Sequence, residues 1–303
     1  MKSAPIARQK MKNFNFLLQP ERFCGIIPMG VVPMTTINRN QPIVKLKLDV
    51  IFKRVFGNEN NKDIIAAFLS ALLEIPRESI EEIYIDNVEM APEYLDQKFS
   101  RLDLRLEVDG RIVNVEMQIN REEDFKERTL FYWAKMFGEE LKSGEEYGKL
   151  KRTICINIIN FNLFDCEDYH SHFQILERER QELLSDKFAI HFFELKKRNN
   201  VKKNQAMEDW LRLIDAETEG DLMELQQTTT IPEVKNTIVM LRQLSADEQV
   251  RREAYNNEKR LHDEASALGN ERRKGRAEGR AELVDMWRKR GMTEEQIKDL
   301  LGE

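Results

Sequence analysis

The chain has 303 residues, 41% of them hydrophobic and 34% charged, with 48 Lys and Arg set against 54 Asp and Glu. That length buries a full core and suits one catalytic domain with an accessory segment, while the formal charge of -6 excludes a general attraction to nucleic acid and leaves only a local basic groove to supply one. The three cysteines, Cys24, Cys155 and Cys166, form no CxxC pair, which with only four histidines argues against a structural zinc site and points to a reducing cytoplasm.

Residues 1–43 carry no clear period and are expected to form a flexible extension, in which Met29 and Met34 are alternative starts that would leave residues 1–28 or 1–33 out of the native chain. No secretory signal heads them, and the apolar stretch from Ile26 to Met34 is too short, and too interrupted by Pro28 and Pro33, to span a bilayer. No membrane partner is expected. LKLDVIFKRVFG is the first helical pattern, and KDIIAAFLSALLE follows it with apolar residues at spacings of three and four, ending before Pro76. Ile80 to Val88 reads as a strand.

RLDLRLEVDGRIVNVEMQ, residues 101–118, reads as a hairpin, because Asp109-Gly110 is a favoured two-residue turn and both flanks alternate apolar with polar residues. Leu106 then pairs with Val113, Leu104 with Val115 and Leu102 with Met117, giving one apolar face. The other face pairs Arg105 with Asn114 and sets Asp103 opposite Glu116. Like charges directly opposed across strands are destabilising. A divalent cation would offset that repulsion, since Mg²⁺ takes one or two carboxylates and completes its shell with water and phosphate oxygens. A solvated face neutralised by Arg101 and Arg105 would offset it too, and spacing alone leaves both readings open.

Arg121 to Gly144 is an amphipathic helix with a glycine stop. RTICINIINF, residues 152–161, suits a buried central strand in which Cys155 is packing. Further strands are expected at 172–179 and 188–197, and His170 and His172, with no cysteine at ligand spacing, are assigned no metal. The order defines an α/β domain over residues 44–198. Residues 199–303 form a helical, charge-rich region; Gly269, Gly275 and Gly279 weaken its helix at about 1 kcal/mol each relative to alanine, and Thr293 caps a last short helix.

Asp103, the hairpin turn and Glu116-Met117-Gln118 resemble the PD-(D/E)XK nuclease signature in the E-x-Q form of the recombination-promoting nuclease and transposase family. DVIFKRVFGNENN, ERTLFYWAKMFGEELKSGEEY, FELKK and GRAEGRAE resemble the same family, well over Leu46 to Lys197 and more loosely in the tail. The resemblance implies a restriction-endonuclease-like core, a mixed sheet flanked by helices, followed by an α-helical C-terminal region. It also implies DNA as partner and hydrolysis of its phosphodiesters with Mg²⁺, Mn²⁺ being the natural substitute. The metal acids map onto Asp103 and Glu116, and the third motif position onto Gln118. Leu102 stands where the name-giving proline would be, and Gln118 where the wider superfamily has lysine. A glutamine supplies no positive charge and titrates no proton, so its implied role is to orient a metal-bound water.

Asp49, on the first helix, is either a further metal contact or the acidic half of an i,i+4 pair with Lys53. Arg128 and Tyr132 share a helix face, either as a phosphate contact and its support or as packing against the sheet. Lys53 belongs to a basic segment with Lys45, Lys47 and Arg54, and is a second candidate for substrate phosphate. The function expected is a metal-dependent DNA endonuclease; the alternative is a noncatalytic DNA-binding or interaction module that keeps the fold. The C-terminal helices are where self-association is expected.

Overall fold

The computed structural model describes residues 38–86, 89–90, 100–101, 104–200 and 204–302. The chain divides into two units, residues 1–37 and 38–303, and the described residues lie in the second. The expected extension overlaps them only at 38–43. There Pro42 bridges to Thr218, the Ile43 amide donates to the Glu217 carbonyl at 3.2 Å, and Ile43 is buried.

Helix α1 (Asp49–Phe56) and helix α2 (Lys62–Leu73) stand where the apolar spacing puts them, with Ile51, Phe52, Val55, Phe56, Ile65, Phe68, Leu69 and Leu72 turned inward. Strand β1 (Ile83–Asp86) begins three residues later than the run from 80 to 88 suggests, and residues 87 and 88 of that run lie outside the described residues. A small two-stranded ribbon, β2 (Glu89–Met90) and β3 (Ser100–Arg101), comes next. The hairpin strands are β4 (Leu104–Val108) and β5 (Arg111–Gln118), and their register is the expected one: Val108 opposite Arg111, Leu106 opposite Val113, Leu104 opposite Val115. Asp109 and Gly110 both take positive φ, as a two-residue turn of this kind demands.

Helix α3 (Phe125–Glu139) stops before the glycine expected to end it. It leads to β6 (Thr153–Ile159), β7 (His170–Phe173) and β8 (Phe188–Glu194). The six-stranded sheet runs β1-β4-β5-β6-β8-β7, with β5, β6 and β8 parallel and the outer pairings antiparallel. This is the mixed, helix-flanked sheet of a restriction-endonuclease-like fold. The strand expected at 172–179 is displaced to 170–173: Phe173, Ile175 and Leu176 are exposed, and pairing beyond Phe173 shrinks to a single bridge from Leu176 to Leu183.

The sheet has two apolar faces. Leu104, Leu106, Val113, Val115, Ile154, Ile156, Ala189 and Phe193 join α1 and α2 in the larger core. Ile112, Cys155, Ile159, Phe188 and Phe192 join Phe125 and Met136 of α3 in the smaller one. Cys155 is packing, as expected, and burial pushes its thiol pKa up, with the Glu116 carboxylate adding to the shift.

The C-terminal region is helical: α4 (Gln205–Asp215), α5 (Glu219–Thr228), α6 (Pro232–Ala246), α7 (Glu248–Lys289) and α8 (Glu294–Leu301), the last with the Thr293 cap and Gln296 completing a capping box. Strands give way to helices near residue 198, yet the larger core crosses that point. Trp210 lies edge-on to Phe68 at 5.4 Å between ring centres and 6.0 Å from Phe56, while Leu213, Ile214, Ile238 and Leu241 belong to the same cluster. No helix among the described residues is long and apolar enough to cross a membrane.

Candidate functional site

Strand periodicity puts Asn114, Glu116 and Gln118 on the face of β5 opposite Val113, Val115 and Met117. That face is not the solvated one that neutralising arginines would need. Helix α3 covers it, leaving Asn114 1% and Glu116 8% exposed. Burying a carboxylate is costly unless it is hydrogen-bonded or met by a cation. Asn114 Nδ2 donates to Glu116 Oε1 at 3.1 Å. Arg105, on the neighbouring strand, turns instead to Asp86, Glu139 and Glu140 at 3.4 to 3.7 Å.

Gln118 sits at the carboxyl end of β5, where the loop 119–124 turns back beneath it. Its amide nitrogen donates to the Asn120 carbonyl at 2.9 Å and to Glu122 Oε1 at 3.0 Å, and its amide oxygen accepts from Arg128 Nη2 at 2.9 Å. Arg128 Nη1 also donates to Glu122 Oε2. One carboxylate thus ties the amide to the guanidinium. The Arg128 guanidinium lies over the rings of Phe125 at 5.0 Å and Tyr132 at 5.9 Å, so Tyr132 supports the arginine through its ring face.

Asp49 opens α1 and reaches the same place from the other side. Its Oδ1 accepts from the Val50 amide at 2.9 Å and from Asn257 Nδ2 at 2.6 Å. Asn257 belongs to α7, which also meets the loop after β5, where Asn120 Nδ2 donates to the Leu261 carbonyl at 2.8 Å and Arg272 pairs with Glu123 at 2.8 Å. Asp49, Glu116, Gln118, Glu122, Arg128 and Tyr132 line one cavity of about 210 Å³, and Lys47, Arg260 and Glu264 complete its charged wall. Burial opposes the Lys47 charge, but the carboxylates of Glu217 at 2.6 Å and Asp215 at 3.1 Å outweigh it and hold the ammonium above its ordinary range.

The cavity therefore gathers Asp49, Glu116, Gln118, Arg128 and Tyr132 from α1, β5 and α3. Lys53 is not among its described walls. Asp103 lies outside the described residues; β4 is followed only to Leu104 opposite Val115. Most of the basic segment faces acids of the C-terminal helices, with Lys45 paired to Glu258, Arg54 to Glu253 and Lys47 as above. Sequence reasoning missed Glu122, Asn257, Arg260 and Glu264. Glu122 had a signal, four residues after Gln118 and six before Arg128, but the α7 residues lie more than 200 positions from Asp49 and no local period links them.

Sheet order and cavity together define a nuclease-type fold with an acidic pocket at the carboxyl end of its central strand. The chain belongs to the family described as PD-(D/E)XK nuclease family transposase, whose model matches residues 46–271, so that the family's extent takes in the C-terminal helices through most of α7. Searches of the curated proteins and of the solved structures find no match.

Proposed function

We propose that this protein is a metal-dependent DNA endonuclease of the transposase-associated, recombination-promoting type, acting in the cytoplasm. The observation that carries the reading is the convergence of Glu116, Gln118, Asp49 and Arg128, spread over 80 positions of the chain, on one cavity. Among the described residues no three His, Cys, Asp or Glu converge as a metal site, but Mg²⁺ needs only one or two carboxylates beside water and phosphate oxygens. Glu116 and Asp49 are hard oxygen donors on one wall, and Asp103, the partner of Glu116 expected from the hairpin register, would be another. That donor set fits Mg²⁺, or Mn²⁺ in its place, better than a softer ion.

When bound, such a cation supplies a water of lowered pKa and stabilises charge on the phosphoryl group. The protein's own part is positional. Glu116 and Asp103 are the carboxylates that would hold the ion, Asp49 would add an oxygen from α1, and Asn114 keeps Glu116 oriented. Gln118, whose amide nitrogen is spent on Asn120 and Glu122, would orient the attacking water through the second lone pair of its amide oxygen, and Arg128 presents a planar fork to a phosphate oxygen. The second reading, a noncatalytic DNA-binding module, draws support from one observation: both Gln118 and Arg128 are engaged by Glu122.

Plasmid nicking by the purified full-length protein with and without Mg²⁺ separates the two. Cleavage should require the ion and fall at least a hundredfold in Glu116→Gln and in Asp103→Asn, both of which keep side-chain shape. Cleavage by either variant within threefold of wild type, with an unchanged circular dichroism spectrum, would overturn the site. A folded wild type that neither cleaves nor binds Mg²⁺ in a calorimetric titration would favour the module.

A further inference from the structure

A second cavity, of about 100 Å³, lies between the C-terminal end of α2 and the β6-β8-β7 side of the sheet and shares no residue with the first. Its charged and titratable lining comprises Arg111, at the start of β5, Arg152, just before β6, His170 and His172 of β7, His191 of β8, and Glu74 beyond α2. The imidazoles of His170 and His191 meet at 3.0 Å, Nε2 to Nδ1, and His172 stacks on His191 with ring centres 4.1 Å apart. Arg111 and Arg152 make no side-chain hydrogen bond or ion pair to any described residue, and Arg152 Nε is buried without a partner. Such groups are elsewhere almost always satisfied. Glu74 is the one carboxylate on this lining, set against two guanidinium charges, and it also accepts from Asn204 at 3.4 Å.

We propose that this cavity is a binding site for a single tetrahedral oxyanion of the phosphate class. Its size suits one such group with a water or two and excludes a nucleotide. The two arginines offer the fork geometry that matches an oxyanion, and the apolar walls strengthen their charge. The imidazoles add up to three further donors, and an anion seated among them turns their mutual repulsion into attraction. Burial, then their positive neighbours, now holds all three imidazoles below the ordinary histidine range, His191 down to about 3. The site stands apart from the catalytic one, since Arg111 opens and Gln118 closes β5, roughly 23 Å apart along the strand.

Sulfate, doubly charged throughout the neutral range, is the probe, with chloride at equal ionic strength as the control. In the full-length protein, sulfate should shift the His191 and His170 side-chain nitrogen resonances saturably at low-millimolar concentration, more strongly near about pH 6 than at higher pH. The shift should vanish in Arg111→Gln/Arg152→Gln, or in Arg152→Gln alone should the double variant fold poorly, and largely persist in Arg152→Lys. Absence of a saturable shift, or an equal shift in the glutamine variants, would mean an adventitious ion only and would overturn the proposal. Competition against sulfate identifies the source: inorganic phosphate alone marks a free anion, whereas an oligonucleotide competing only when it carries a 5′-phosphate marks a DNA end. Cleavage activity enters neither readout, so the result stands whatever the first cavity does.

Discussion

At the residue scale the informative side chain is Gln118, because both ends of its amide are engaged. The motif read from sequence locates it and gives its amide a water to orient; the structure adds three protein partners, which leave that water only the second lone pair of the amide oxygen. A lysine there has donors and no acceptor, so Arg128 would lose a partner and face an ammonium. Leaving that donor unpaired costs about 1 to 3 kcal/mol, which corresponds to roughly 5- to 150-fold in rate if it falls on the transition state. Gln118→Lys is therefore expected to lower Mg²⁺-dependent nicking by that factor, and a wild-type rate would show that the network is dispensable. Glu122 tests the other side of the same contact. Its carboxylate occupies, on Arg128, the place a phosphate oxygen would take, so Glu122→Gln should tighten DNA binding several-fold and steepen its salt dependence by about one phosphate contact. Weaker binding in a salt titration would mean that Glu122 orients the arginine and does not compete for it.

At the scale of elements, the parts with a local cause were legible. The Asp109-Gly110 turn and period-two flanks fix the β4–β5 register residue by residue, and the apolar spacings of α1 and α2 fix their buried faces. Strand β7 was misplaced because ladder pairing with β8 covers only His170–Phe173, and the apolar residues that suggested a longer strand stand exposed. Its histidines carry a prediction of their own. Folding holds His170, His172 and His191 below 6.5, so at a pH under that value the unfolded chain binds protons that the folded chain refuses. Stability should be full above about pH 6.5 and fall as pH drops toward 3. Urea midpoints measured in chloride buffers at intervals across this window should decline, and the decline should be shallower in His172→Gln. An identical slope in that variant would remove the cluster from the explanation.

For the whole molecule, the change of composition near residue 198 was visible, and strands do give way to helices there, whereas the core that crosses that point was not visible. A core formed by contacts between Phe56, Phe68 and Trp210 leaves no trace in any window of sequence. A fragment ending at residue 198 would uncover that aromatic surface and strip the 5%-exposed Lys47 of both its acids. Such an unpaired buried charge is strongly destabilising. The fragment is expected to aggregate, or to bind a hydrophobic dye and melt without a cooperative transition. A soluble, cooperatively folding 44–198 fragment would show that the sheet and its first helices suffice.

The hydrogen bond from Asn257 to Asp49 joins residues 208 positions apart, and that distance has a meaning in time. A ribosome delivers Glu116 and Gln118 first and Asn257 some 139 residues later, about 7 to 28 s at usual elongation speeds. Throughout that interval the nascent chain holds the motif without the wall that completes its cavity. A nuclease of the kind proposed would thereby stay unfinished until α7 has been made, and an mRNA cut short upstream of α7 would yield a chain that carries the signature and lacks the assembled site.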